Sequence, residues 1–381
     1  MKDVSSTNDK NFPNLVRELC HTGGKDTRKR ISDILDRTEC REWHDILREA
    51  RGHHLTPLLA EYATEAPQWA RQELVREYAS VAMHNRSACS VLSEIAEKFA
   101  EEGICFLLWK GLATAATCYP NIDARASGDL DLLVLPDTWV RAADVLVSLG
   151  FGSELSGNEQ AMLSSIGHHC VPFQRSGCRV IVELHWRFTP IYFPFDLPLR
   201  QAWKRSVSTW IAGTKIQVLG SEDDLVSACV HGAKHGWSYL SSVLDIAFII
   251  FNRKPDWYVV GEVATCTAST RMVNTGLLLA IELLGVELPP HVEELVRSDK
   301  AATSIAQTAK EKIVAGKGSG RIDIALTSLR SFRGLKNKIN VLSQIWRPTQ
   351  RDLIFNKLGL PWGAFVPLRL LNIGKKLVGG A

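Results

Sequence analysis

The hydrophobic pattern of this chain changes period twice, and those two changes constrain the fold more than any other feature. From residue 29 to 101 apolar residues recur at threes and fours. Leu74, Tyr78, Val81, Ala88, Leu92, Ile95 and Phe99 form one stripe along a long helix, and Gly103 is placed to end it. Beyond it the runs become short: 104-ICFLLW-109, 129-DLDLLVL-135, 168-HHCVPFQ-174 and 178-CRVIVELHW-186. These read as strands, with helices over 112–119 and 138–150 between them and a hairpin signal at Ser176-Gly177. Proline-rich 189-TPIYFPFDLPL-199 reads as an irregular loop. From about residue 221 the helical period returns and holds to the end. The expected fold is therefore α+β: a helical leader over 1–103, a small mixed-sheet core over 104–220 and a helical C-terminal domain over 221–381.

Composition narrows the class. The 381 residues are enough for two or three domains, and 45% hydrophobic with 23% charged residues is the balance of a globular protein. No apolar run approaches the roughly 18–20 residues of a membrane span. The best two, 243-VLDIAFIIF-251 and 277-LLLAIELLGV-286, are interrupted by Asp245 and Glu282. The N-terminal stretch is polar, expected to be frayed, and lacks the apolar core of a secretory signal. Nine cysteines, an odd number with no C-x-x-C, point to reduced thiols, a cytoplasmic location and no zinc motif. Residues 301–381 hold 14 Lys and Arg against three acids, so a net of +4 conceals a basic end. That end either meets a phosphate-rich partner or is a solvated helical face, with Leu326, Leu329, Phe332 and Leu335 packed inward and Arg330, Arg333, Lys336 and Lys338 outward.

The residues that break the apolar strands are the candidates for chemistry. In 125-RASGDLDLLVL-135, alternation puts Asp129 and Asp131 on one face, opposite Leu130, Leu132 and Val134. Two neighbouring carboxylates repel, so either they face water in a turn or a cation lies between them. An Arg or Lys would serve, as would magnesium, which favours hard oxygen ligands. In 180-VIVELHW-186, Glu183 and His185 leave an apolar strand on one face. A third carboxylate completes the triangle that holds two magnesium ions in phosphoryl displacement. Lys110-Gly111 lies at a strand-to-helix turn, where a bare glycine lets the backbone approach an anion. Arg125 either reaches such an anion or pairs with an aspartate. Asp245, polar within an apolar run, either pairs internally with Lys234 or Arg125 or belongs to the site. His231 and His235 are spaced i, i+4 in 231-HGAKHGW-237, but the glutamate of H-E-x-x-H is absent, which argues against zinc.

Taken together, LLWKG, R-x3-D-L-D-L-L-V, V-E-L-H-W and H-G-A-K-H-G-W resemble the uncharacterised nucleotidyltransferase family of the polymerase-beta-like superfamily, over most of the chain. The resemblance implies a nucleotidyltransferase that moves an NMP group from an NTP to a hydroxyl acceptor with two Mg2+ ions. It implies Asp129 and Asp131 as the metal pair and Glu183 as the third carboxylate, binding metal and drawing the hydroxyl proton. Lys110-Gly111 would stand where the superfamily has a Gly-Ser or Gly-Gly turn for the donor phosphates. It also implies that Lys234 and His235 face the carboxylates and touch triphosphate or acceptor; the other reading is a helix that only packs, through Trp237 and Leu240. Genes of such proteins often neighbour those of ribosomally made peptides such as lasso peptides, which implies a peptide or small-molecule acceptor. Nucleic acid and membrane are not expected partners. The competing class is a non-catalytic nucleotide- or nucleic-acid-binding module.

Overall fold

The structure is a computed structural model that describes residues 42–64, 66–155, 167–316 and 320–343, together with Leu15, Val16, Glu18, Ile34, Gly157 and Ser164. The fold is α+β. Six strands form one mixed sheet: β1 (Phe106–Trp109), β2 (Leu130–Val134), β3 (Cys170–Gln174), β4 (Ile181–His185), β5 (Val207–Ile211) and β6 (Thr214–Val218). Their order across the sheet is β3-β4-β2-β1-β6-β5. β2 runs parallel to β4 and antiparallel to β1, and β1 runs parallel to β6.

Side-chain alternation gives this sheet two buried faces. On one, Leu108, Leu130, Leu132, Val134, Val182 and Leu184 pack under Leu92, Ile95 and Phe99 of the helix Gln68–Glu101 and under Leu146. On the other, Leu107, Trp109 and Leu133 join a larger core built from the helices Ser221–Lys234, Leu240–Arg253 and Thr270–Leu284. Each fully buried Leu or Phe contributes about 1.5–3 kcal/mol, so both faces are held firmly. Leu15 and Val16 are also buried in the larger core, although their polar surroundings suggested a loose start. Residues 1–14 lie outside those described.

Most expected elements are present. The long helix ends at Glu101, with Gly103 following at φ +64°, and Gly177 turns the β3–β4 hairpin at φ +75°. Two differences stand out. The β5–β6 hairpin turns through Ala212 and Gly213, at φ +48° and +85°, a two-residue corner that the sequence reading passed over. The basic end is also not one continuous stripe. It is described only to residue 343, as the helices Arg321–Ser331 and Leu335–Ser343, and Gly334 at φ +81° breaks the register between them. Phe332 is consequently buried and Leu329 partly so, while Leu326 and Leu335 face solvent at 52% and 74% exposure, against the expectation that all four pack inward.

Candidate active site

Strand register assembles a polar row on the face turned toward the C-terminal helices. Trp109, Asp131, Glu183 and Pro172 lie side by side across β1, β2, β4 and β3. Leu107, Leu133, His185 and Cys170 form the next row on the same face. Asp129 sits in the bend just before β2. The His185 Nε2–H donates toward Asp131 Oδ1 at 2.9 Å and Glu183 Oε2 at 3.1 Å. Lys110 Nζ lies 2.9 Å from the same Asp131 oxygen. His185 is thus the group that joins the two strands' carboxylates.

The charges here depend on one another. Burial alone would raise the Glu183 carboxyl, but the hydrogen bond from His185, with the charge of Lys110, outweighs it and holds the group down at about 2. Asp129 goes the other way: burial, then the charges of Glu183 and Asp131, push its carboxyl above the usual range. Lys110 is desolvated, yet Asp131 and Glu183 keep its ammonium above its ordinary value. The site therefore sets three acids around the Lys110 ammonium and the His185 ring.

Lys110 and Gly111 make a sharp corner between β1 and the short helix Leu112–Cys118, with φ of +43° and +45°. A Cβ on Gly111 would lie 2.7 Å from Ser127 Oγ, so only glycine fits without a shift. The Gly111 carbonyl accepts from Arg125 Nη1 at 3.1 Å. The rest of the Arg125 guanidinium is engaged bidentately by Asp245, at 2.8 and 2.7 Å, and Asp245 also accepts from Tyr119 Oη at 2.7 Å. Of the two readings for Arg125, pairing with an aspartate is what its donors do, and Asp245 pairs internally. Trp109 completes the corner: its ring lies 4.9 Å below Lys110 Nζ and meets the His185 edge at 5.4 Å, and its Nε1–H donates to Ser227 Oγ at 3.2 Å.

The helix Ser221–Lys234 closes the site from above. Lys234 makes no hydrogen bond or ion pair with any described residue, although Cys170, Glu183 and Asp131 all act on its charge. Burial and then Lys110 lower its ammonium pKa. The rings of His231 and His235 lie 4.5 Å apart. Desolvation, then Lys110, holds His231 neutral; at the more exposed His235, desolvation and then Lys234 bring the imidazole to about 4. Trp237 and Leu240 are core residues, so the helix both packs and presents a cation. A Cβ on Gly232 would come 2.3 Å from the Trp237 ring, which is why this helix carries a glycine inside it.

Two residues of the long helix were missed. Asn85, fully buried, donates to the carbonyls of Ile122 at 2.7 Å and Arg125 at 3.0 Å. His84 Nε2 reaches the Gly128 carbonyl at 2.8 Å. Together they clamp the loop that delivers Asp129. The signal was present: Asn85 falls on the apolar stripe between Val81 and Ala88, where a polar side chain needs a buried partner.

The donor set suits a hard divalent cation. Asp131 and Glu183 each offer a carboxylate oxygen within 4.8 Å of the other, and Asp129 contributes a further carboxylate. A sequence model of the family described as "Uncharacterised nucleotidyltransferase" matches residues 39–285. Among solved structures, an antigenic nucleotidyltransferase-like protein from Paracoccidioides brasiliensis is similar at 16% identity and a TM-score of 0.34, covering 62% of this chain and 96% of that one. No curated protein matches the chain.

Proposed function

The chain belongs to the uncharacterised nucleotidyltransferase family, and from that premise we propose that it moves a nucleoside monophosphate group from an NTP to a hydroxyl on a small molecule or peptide. The observation that carries this reading is the pairing of opposites on one wall. Three carboxylates gather where a cation is wanted, and Lys234 faces them with no anion of its own among the described residues. A magnesium-bound triphosphate supplies both missing partners at once.

In this proposal Asp129, Asp131 and Glu183 would hold magnesium, which when bound would supply charge neutralisation for the transferring phosphoryl group. The protein's own groups do the positioning. Lys234, with His235 beside it, grips the triphosphate, and Lys110 turns from Asp131 to a phosphate oxygen once the carboxylate gains a stronger partner. The Gly111 corner leaves room for close approach, and Arg125 acts through it by holding the carbonyl. His185 keeps Asp131 and Glu183 at a fixed spacing. The acceptor oxygen attacks the α-phosphorus, the bond to the β-phosphate oxygen breaks, and pyrophosphate leaves. Glu183 receives the hydroxyl hydrogen bond that aligns the attack and takes the proton as the new bond forms.

The basic end supports a small acceptor over a nucleic acid. Arg333 lies 2.8 Å from Asp299 and Arg330 donates to Ser304 Oγ at 2.8 Å, so two of the four basic residues expected to point outward are engaged internally. Among the described residues no helix is long and apolar enough to cross a membrane. The deciding experiment is incubation of the purified protein with each labelled NTP, magnesium and a cell extract, followed by mass analysis. A component that gains one NMP, with pyrophosphate released, is the expected result. No gain with any NTP, alongside tight and salt-steep binding of generic RNA, would replace this reading with the binding module.

A further inference from the structure

A second cluster of donors lies one row from the carboxylates, and its chemistry differs. Cys170 and His185 are direct partners across the antiparallel β3–β4 pair, where opposed side chains come close on one face. His169 precedes Cys170, and its Nε2 lies 3.8 Å from Cys170 Sγ. His169, Cys170 and His185 each offer a donor atom within 4.8 Å of the other two.

Two of these groups are unfinished. Among the described residues neither His169 Nδ1 nor His185 Nδ1, both buried, has a hydrogen-bond partner, and His185 is 1% exposed. A buried nitrogen left this way costs about 1–3 kcal/mol. The His185 ring explains where its lone pair goes. Its Nε2 faces Asp131 and Glu183, so the proton sits there and Nδ1 is left as an acceptor with no donor among the described residues. A histidine that donates one nitrogen to a carboxylate and leaves the other bare is arranged as metal-binding histidines are.

We propose that His169, Cys170 and His185 bind a borderline transition cation of the zinc class, in a site separate from the magnesium site, and that this ion fixes the His185 ring. One thiol and two imidazoles select such an ion over magnesium, and three protein donors leave the fourth tetrahedral position to water. On binding, the Cys170 proton is released to solvent as the sulfur–metal bond forms. The resulting single positive charge, with Lys110 and Lys234, balances Asp129, Asp131 and Glu183. No sequence spacing reveals this site, because its ligands meet across a strand pair instead of along a motif.

The test is cobalt titration of the full-length, chelator-stripped protein, followed by absorbance of the thiolate-to-cobalt charge-transfer band. One equivalent should produce the band, and zinc should remove it. Cys170→Ser should abolish it, His169→Gln should weaken cobalt affinity at least about tenfold, and both Cys178→Ser and Asp129→Asn should leave it intact. If Cys170→Ser does not fold, the affinity of His169→Gln decides. No band in the parent protein, a full band in Cys170→Ser, or unchanged affinity in His169→Gln overturns the site. The readout is metal binding alone, so its failure leaves the transferase reading standing, and the reverse holds as well.

Discussion

Asp131 on β2 and Glu183 on β4 stand directly opposite one another in a parallel pair, and His185 reaches both. Their meeting is a matter of register. A slip of one residue would send Glu183 to the face that packs under the long helix and leave a charge among Val182 and Leu184 neighbours. The leucines and valines that alternate with these acids therefore hold the site in place.

Asp129 is the cleanest carboxylate to remove, because no hydrogen bond or ion pair in the described structure depends on it. Asp129→Asn is expected to lose at least about a hundredfold in nucleotidyl transfer with its melting temperature unchanged. Radiolabelled NTP turnover beside a thermal melt checks both halves. Asp131→Asn should also lose transfer, but with reduced stability, since Lys110 and His185 would lose the negative charge they share.

Lys234 is desolvated and has no ion-pair partner among the described residues, so its removal separates affinity from stability. Lys234→Met should weaken NTP binding by about tenfold or more, the scale of one charge-assisted contact, while leaving the fold as stable or more so. Calorimetric titration and a urea midpoint are the two measurements. A large drop in the midpoint with NTP affinity intact would assign Lys234 to the fold.

Glu183 sets an acid limit. Its folded carboxyl is held at about 2 against an ordinary 4.5, so its stabilising contribution is complete above 4.5 and is lost as pH falls toward 2. Glu183→Gln should flatten the stability curve across that window and reduce transfer by about a hundredfold at neutral pH. Denaturant midpoints from pH 5 to pH 2 read the first effect. Equal slopes for parent and variant would mean that His185 does not hold the carboxylate charged.

Arg125 and Asp245 test the corner. Removing one member of a partly buried bidentate pair leaves the other charge uncompensated, so Asp245→Asn or Arg125→Met should cost about 3–5 kcal/mol in unfolding free energy. The double variant should cost less than the two changes added together. Additive losses in this cycle would mean the two groups do not act as a pair.

Gly232→Ala places a methyl group 2.3 Å from the Trp237 ring. Overpacking of this kind costs about 1–3 kcal/mol, and here it would also displace Lys234 two positions on. Both the melting temperature and the NTP affinity should fall.

Elements with a strong period were readable from sequence: the long helix, the first four strands and the C-terminal helices. The β5–β6 hairpin was not, because Val207, Trp210 and their neighbours form an exposed edge with little apolar contrast. The carboxylates were legible because acids inside apolar strands demand an explanation. His185 was visible but its task was not, since bridging two strands is a property of register. Asn85 and His84 depend on contacts across tens of residues, and the His169–Cys170 pair meets His185 through strand register, which no local spacing encodes.

The Arg125–Asp245 pair and the Trp109–Ser227 hydrogen bond also determine how the molecule can be dissected. A fragment stopped at residue 220, where the hydrophobic pattern alone suggests a clean cut, would carry all three carboxylates yet strand a guanidinium and an indole N–H, and forfeit Lys234 altogether. The smallest piece worth expressing runs at least through the helix Leu240–Arg253. The strand half and the helical half share one polar wall, and cutting between them severs the contacts that build it.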